Sequence, residues 1–389
     1  MHILFIITDY GSFNNFLGEL ALYMIMRNHQ VSVICANSKT IDVVDKANYH
    51  QSGIQFHYVA FPRSFNVNTQ LKTSLEIHRL VRGIHPDLVH IHFTTAMSTT
   101  LFAGRLPIYT MGTVHGLGYP SIKHPVKRQV FRFTETIMIK RLDEFWVLNQ
   151  EDYALLYPQY GNKINIYSTA GIGCNTQLFQ PIRSVQEKQD IRKSLNIAEK
   201  TVVYTFIGRF VHFKGFHLVA QAFLQIAEGS HTDVVLLLIG GKDDLHPSGL
   251  SKKEEEILFQ HPQVRKIHFT HEVASYLAIT DLMVFPSVKE GMPVSVMEAL
   301  AMQVPVLTAD TRGCNELVQH DVNGFRLGVN PSTEEVKTAM LRFYAGHKNN
   351  EYTFNFDYLP RSIARDDYVK EQYEIYVSSM SKKKEKQNN

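Results

Sequence analysis

Asp281-Leu-Met-Val-Phe-Pro-Ser-Val-Lys-Glu-Gly-Met-Pro-Val-Ser-Val-Met-Glu-Ala-Leu-Ala301 begins as a short apolar run, passes through a loop holding Gly291, and turns helical where Pro293 stands. The run has the length of a buried strand, and proline is favoured at the first helical position, where its missing N–H has no intrahelical partner to lose. Strand, glycine loop and helix start therefore follow one another here. The pattern extends in both directions: TVVYTFIG, a helix after Lys214, DVVLLLIGG and VRKIHF lie upstream, and VPVLTAD lies downstream. The first half repeats it, with HILFII, a helical stretch near Phe16 to Arg27, VSVIC, the amphipathic LKTSLEIHRLVRGI and DLVHIH. Alternating strands and helices of this kind form βαβ units and parallel sheets.

A polar, helix-poor stretch from Ala170 to Ser184 separates the two series. The expectation is an α/β protein of two Rossmann-like domains facing across a cleft, at 1–180 and 181–360. A last helix at 361–380 can cross back, and the basic tail 381–389 is expected to be disordered. A chain of 389 residues is long enough for two such cores. With 44% hydrophobic and 20% charged residues it reads as globular. It has no uninterrupted apolar span of membrane length, and its start reads as a strand rather than a leader, so a cytoplasmic protein is expected. Cys35, Cys174 and Cys314 are widely spaced and odd in number, which argues for free thiols over disulfides or a zinc site. The first half carries a mild excess of Lys and Arg, which suits an anionic surface or acceptor.

Ligands of open parallel sheets bind beyond the carboxyl ends of the strands, where loops enter helices. After Phe285, the N–H groups of Gly291, Met292 and Val294 are free to meet an anion. Glu290 and Glu298 would repel that anion unless turned to hydroxyl groups, so ribose suits Glu298 and a sugar ring suits Glu290. After Phe206-Ile207, the loop Gly208-Arg209-Phe-Val-His-Phe-Lys214-Gly215 brings two cations to a second helix start. Arg209 offers a bidentate fork for phosphate oxygens and Lys214 a point charge. Two cations and a helix N-terminus can take up the charge of a departing diphosphate, so no metal or other cofactor is expected.

These residues carry a resemblance. Glu290 and Glu298 at Glu-x7-Glu spacing, with Gly208-Arg209 and Lys214-Gly215 before them, make the chain similar to the retaining family 4 glycosyltransferases of the GT-B fold, over nearly its whole length. The resemblance implies a nucleotide-diphosphate sugar donor, with UDP the commoner base. It gives Arg209 and Lys214 the diphosphate, Glu298 the ribose, Glu290 the donor sugar, and Val273 a backbone contact to the base. It implies a front-face displacement in which the leaving phosphate takes the acceptor proton. His115, in Thr113-Val114-His115-Gly116, is similar to the family's cleft histidine. Thr8-Asp9-Tyr10-Gly11-Ser12 resembles its glycine-rich first loop, with Ser12 where a second glycine is common. The segment after His115 also resembles bacterial polysaccharide-assembly transferases, which implies a hexose or N-acetylhexosamine carried to a glycan acceptor.

Between Lys123 and Arg141 the chain reads KHPVKRQVFRFTETIMIKR, cations interleaved with Val126, Val130, Phe131, Phe133, Ile137 and Met138. Such a helix can lie on an anionic membrane surface and serve a lipid-linked acceptor, or its apolar side can pack on the first sheet. His90 and His92 share one face of a strand and lack a third metal ligand nearby. Lys242, Asp243 and Asp244 read as a solvated turn rather than a metal site. Three other functions compete: a glycoside hydrolase, for which mostly helical chain sets Glu290 and Glu298 too far apart; a GT-B-like nucleotide-sugar epimerase; and a silent partner subunit, which has no reason to keep a complete donor site. Nucleic acid is not expected as a partner.

Overall fold

The computed structural model describes residues 1–389 except 38–47, 63–65, 123, 182–183, 230, 244–245 and 389, and the side chains of 382–388. The chain divides into two compact units, Met1–Ile172 with Asp366–Asn389, and Gly173–Arg365.

The first unit contains strands β1 (His2–Asp9), β2 (Gln30–Ala36), β3 (Gln55–Tyr58), β4 (Leu88–His92), β5 (Tyr109–Val114), β6 (Glu144–Val147) and β7 (Ile164–Ile166). They form one seven-stranded sheet in the order β3-β2-β1-β4-β5-β6-β7, parallel at every pairing. The second unit contains β8 (Val202–Ile207), β9 (Val234–Ile239), β10 (Val264–Ile267), β11 (Leu282–Phe285), β12 (Val306–Ala309) and β13 (Gly324–Leu327). Its six strands run β10-β9-β8-β11-β12-β13, again all parallel. Every residue of β8, β9, β11 and β12 is buried, as expected for strands covered by helices on both faces.

In both sheets the chain fills one side, then returns to the middle and fills the other. The order reverses between β1 and β4 in the first sheet and between β8 and β11 in the second, so the loops leaving those strands diverge and open a crevice at the carboxyl ends. Side-chain caps fix where helices begin. Asn66, Asn149, Ser184, Ser251 and Ser332 each accept a backbone N–H of the first turn, and Ser251 with Glu254 completes a capping box.

Four expectations are adjusted. The unit boundary falls at Ile172, before the expected Pro181, because Cys174 is already paired with Ala364 of the second unit. The helix expected near Phe16 to Arg27 runs Gly18–Met26, and a helix that was not expected, Tyr10–Phe16, precedes it and meets it at Leu17. Pro293 caps the helix Val294–Ala301 instead of occupying its first turn. The tail expected to be disordered continues the C-terminal helix, Arg365–Asn388; its Lys, Glu and Gln residues are good helix formers and no Gly or Pro interrupts them.

That last helix packs in the first unit through polar contacts. The Tyr376 hydroxyl lies 2.7 Å from Nδ1 of His90, and the Tyr167 hydroxyl donates to Oε1 of Gln372 at 2.8 Å. Glu371 accepts the N–H groups of Ser168 and Thr169 at 2.6 and 3.2 Å.

Candidate functional site

In the second unit all the expected residues but Val273 come from the two loops, with the helix starts they lead into, that flank the reversal of strand order. Beyond β8, Gly208 and Arg209 lead into a tight turn at His212–Lys214, and Gly215 begins the helix Phe216–Ala227. Gly215 has φ 75°, and a Cβ there would lie 2.5 Å from the carbonyl oxygen of Pro286. Only glycine lets the two loops approach so closely. Beyond β11, Val288 donates its N–H to the Phe213 carbonyl at 2.9 Å, and the Ser287 hydroxyl oxygen lies 3.2 Å from the same carbonyl. Thr311 in turn donates to the Ser287 carbonyl at 2.9 Å.

This clamp brings Lys214 and Glu290 together: Nζ lies 2.6 Å from Oε1, with the side chains 19% and 8% exposed. The hydroxyl of Ser287 donates to the same carboxylate oxygen. Arg209 is half exposed and pairs with Asp243, beyond β9, while its guanidinium lies 5.5 Å from the centre of the Phe213 ring. Asp243 is thus not the solvated turn residue expected. Its side chain is mostly covered and partnered by the cation expected to meet phosphate. Lys242 pairs with Glu255, and Asp244 lies outside the described residues.

Gly291 and Met292 are buried and Val294 and Glu298 half-buried on the loop and helix that follow β11. Val273 is the first residue of the short helix Val273–Leu277, beyond β10. Next to this loop, burial pushes the Cys314 thiol up to about 12, so it stays protonated and unreactive. All three cysteines are buried and unpaired.

In the first unit, Gly11, Ser12 and His115 also lie beyond carboxyl ends of strands. Asp9 caps the helix Tyr10–Phe16, accepting the Ser12 N–H at 2.9 Å and the Ser12 hydroxyl at 3.0 Å. The serine that replaces a second glycine therefore completes the turn through its own hydroxyl. His115 stacks on Phe93 with ring centres 4.0 Å apart, and its Nε2 lies 3.4 Å from Nδ1 of His92. Phe93 holds φ at 71°, a costly conformation for a bulky residue. His92, Phe93, Ser287, Thr311 and Asp243 were not singled out as partners from sequence, because each acts through a neighbour that only the fold supplies.

His90 and His92 are fully buried with ring centres 4.0 Å apart. Both nitrogens of His90 are engaged, by Tyr376 and by Thr113 at 2.8 Å. Burial lowers His90 to about 3 and holds His92 well below the ordinary histidine range. They are neutral core histidines that back the position of His115.

The family model for Glycosyl transferases group 1 matches residues 187–353, and the model for Glycosyltransferase Family 4 matches residues 14–165. The capsular polysaccharide biosynthesis glycosyltransferase CapM of Staphylococcus aureus is 30% identical over 307 residues, covering 78% of this chain and 77% of CapM. The UDP-Gal:alpha-D-GlcNAc-diphosphoundecaprenol alpha-1,3-galactosyltransferase of Escherichia coli is 23% identical over 324 residues, covering 80% of both chains. The structure of sucrose-phosphate synthase from Thermosynechococcus elongatus aligns with a TM-score of 0.77 at 16% identity, over 98% of this chain and 100% of that one, a likeness of fold. Two all-parallel sheets, each with one reversal of strand order, define the GT-B fold. The chain belongs to the family 4 glycosyltransferases, and its activity is glycosyl transfer.

Proposed function

We propose that the protein moves a hexose or N-acetylhexosamine from a UDP-sugar to a lipid-linked glycan acceptor, with retention at the anomeric carbon and without a metal ion, in surface polysaccharide assembly at the cytoplasmic membrane face. The observation that carries the reading is the Lys214–Glu290 pair held between the loops after β8 and β11, with Arg209 on the same loop as Lys214. Lys214 and Arg209 supply positive charge to the diphosphate, and the N–H groups from Gly291 to Val294 supply oriented donors. Glu290 and Glu298 accept hydroxyl groups of the sugar and the ribose, and Val273 meets the base. In the first unit, the family resemblance assigns Gly11 and Ser12 to the diphosphate and His115 to the donor sugar.

As the bond from the anomeric carbon to the phosphate oxygen breaks, the acceptor hydroxyl bonds to the same face of that carbon. Its proton passes to the departing phosphate oxygen. A UDP donor and a diphospholipid acceptor are supported by the E. coli relative, whose name states both, and surface polysaccharide assembly by CapM. Among the described residues no helix is long and apolar enough to cross a membrane, so a lipid-linked acceptor would be met at the surface.

The test is a panel of UDP- and GDP-sugars incubated with and without membrane lipid extract, followed by nucleotide release. Release from one UDP-sugar only when extract is present supports the reading. Release or epimerisation without acceptor favours the epimerase, and absence of nucleotide binding favours the silent partner.

A further inference from the structure

His92 ends β4 and lies opposite Thr113 of β5, which stands two residues before His115. The Phe93 N–H donates to the Thr113 carbonyl at 3.1 Å, so the turn out of β4 is tied to the strand that carries His115. The His115 ring is held in three places. Phe93 stacks on it with ring centres 4.0 Å apart, Phe16 lies against it at 5.3 Å, and Nδ1 of His92 meets its Nε2 at 3.4 Å. Phe93 keeps a strained φ of 71° in this arrangement, as residues at functional sites often do.

A neutral imidazole has one N–H and one lone pair. His92 is fully buried and carries no charge, because burial first, and then His90 and His115, oppose its protonation. Its Nε2 has no hydrogen-bond partner among the described residues. His90 does not supply one, since its own nitrogens go to Tyr376 and Thr113. One nitrogen of His92 is therefore left over in either tautomer. With the proton on Nε2, a buried N–H is stranded while Nδ1 accepts from His115. With the proton on Nδ1, only a lone pair is stranded and the N–H donates to His115. Orphaned donors are the rarer of the two in protein interiors, so His92 donates.

One hydrogen bond holds one proton. Nε2 of His115 is then the acceptor, and a neutral His115 carries its own proton on Nδ1. We propose that His92 is a positioning residue that fixes this tautomer, so that His115 meets the donor sugar as a hydrogen-bond donor and not as a base. A ring locked in this way suits a sugar oxygen with a free lone pair, a hydroxyl or an N-acetyl carbonyl. It also leaves the acceptor's proton to the departing phosphate, because the lone pair of His115 is already occupied. The contact with the sugar rests on the proposed function; the tautomer does not.

The full-length protein with nitrogen-15 histidine is observed without ligand at mildly alkaline pH by proton–nitrogen correlation of the rings, in which the two neutral tautomers give different patterns. The His115 signals are those missing from His115→Gln. The parent is expected to show the proton of His115 on Nδ1. His92→Phe fills the same apolar place beside Phe5 without a donor and should release His115 to its Nε2–H form. Turnover of the UDP-sugar selected by the donor panel should then fall roughly 2- to 13-fold, the contribution of one neutral hydrogen bond. Affinity for UDP, which lacks the sugar, should stay at the parent's value. A merely structural role would instead lower melting temperature and UDP affinity and leave the tautomer unmoved. A parent with the proton of His115 on Nε2 overturns the proposal without recourse to a variant. So does a His92→Phe protein whose tautomer is unchanged, or whose tautomer changes while turnover does not. The Nδ1–H form in a parent that turns over no UDP-sugar would support the tautomer and count against the proposed function.

Discussion

Lys214 and Glu290 form a mostly buried ion pair, 2.6 Å from Nζ to Oε1, across the reversal of strand order in the second sheet. Each side chain fixes the other where a sugar diphosphate would bind. Breaking one partner leaves a covered charge unpaired, which is costly. Lys214→Ala and Glu290→Gln are each expected to lower turnover at least tenfold, since a charge-assisted hydrogen bond contributes ~1.5 to 3 kcal/mol. Lys214→Ala should also lower the melting temperature. The double variant should regain much of that stability and none of the activity. Full turnover in both single variants would remove the pair from the site.

Arg209 pairs with Asp243 while half exposed to solvent. A diphosphate would compete with Asp243 for the guanidinium, and an exposed pair contributes ~0.2 to 1 kcal/mol. Asp243→Asn is therefore expected to tighten UDP binding by roughly 1.4- to 5-fold, and Arg209→Ala to weaken it. Calorimetric titration checks both, and weaker binding in Asp243→Asn would contradict the competition.

Gly313 holds φ at 74°, and a Cβ there would sit 2.2 Å from the carbonyl oxygen of Gly291. Gly313→Ala must push the Gly291 loop aside as well as strain its own backbone, at about 1 to 3 kcal/mol or more. A lower melting temperature together with a lost UDP response is expected. A variant that keeps both would show that the loop tolerates movement.

The buried histidines make stability depend on acid. In the folded chain burial keeps His90 neutral until about pH 3, whereas unfolded it protonates near the ordinary histidine value of 6.5. Between those values the unfolded chain binds more protons, so stability falls as the pH drops through that window. His90 alone should cost about 2 kcal/mol between pH 7 and pH 5, and His92 acts in the same direction. Urea unfolding at the two pH values tests this. His90→Gln should reduce the difference, and a parent protein equally stable at both would contradict it.

Much of the fold was legible because β-branched runs and amphipathic stretches alternate, and that rhythm leaves few alternatives to two parallel sheets. That the glycines and cations after Ile207 and Phe285 stand on loops at the carboxyl ends of strands was legible because an apolar run ends just before each of them. The partners were not. Asp243 looked like a solvated acid because nothing local says that β9 lies beside β8, and Ser287 and Thr311 act through loops brought together only in three dimensions. The basic helix Pro125–Arg141 is exposed as far as Phe133 and packs through Met138 and Ile139; nothing in its residues marks where the packed half begins, since the change at Thr134 follows from what the first unit covers. The tail 381–388 was misread because charge suggested disorder while helix propensity ran the other way.

The most direct test of metal-independent transfer through Arg209 and Lys214 is turnover of the UDP-sugar donor with lipid acceptor in EDTA, compared with the same assay in magnesium. Equal rates are predicted, with both rates falling together in Lys214→Ala. Activity that vanishes in EDTA and returns with magnesium would contradict the claim that these two cations carry the charge of the leaving diphosphate.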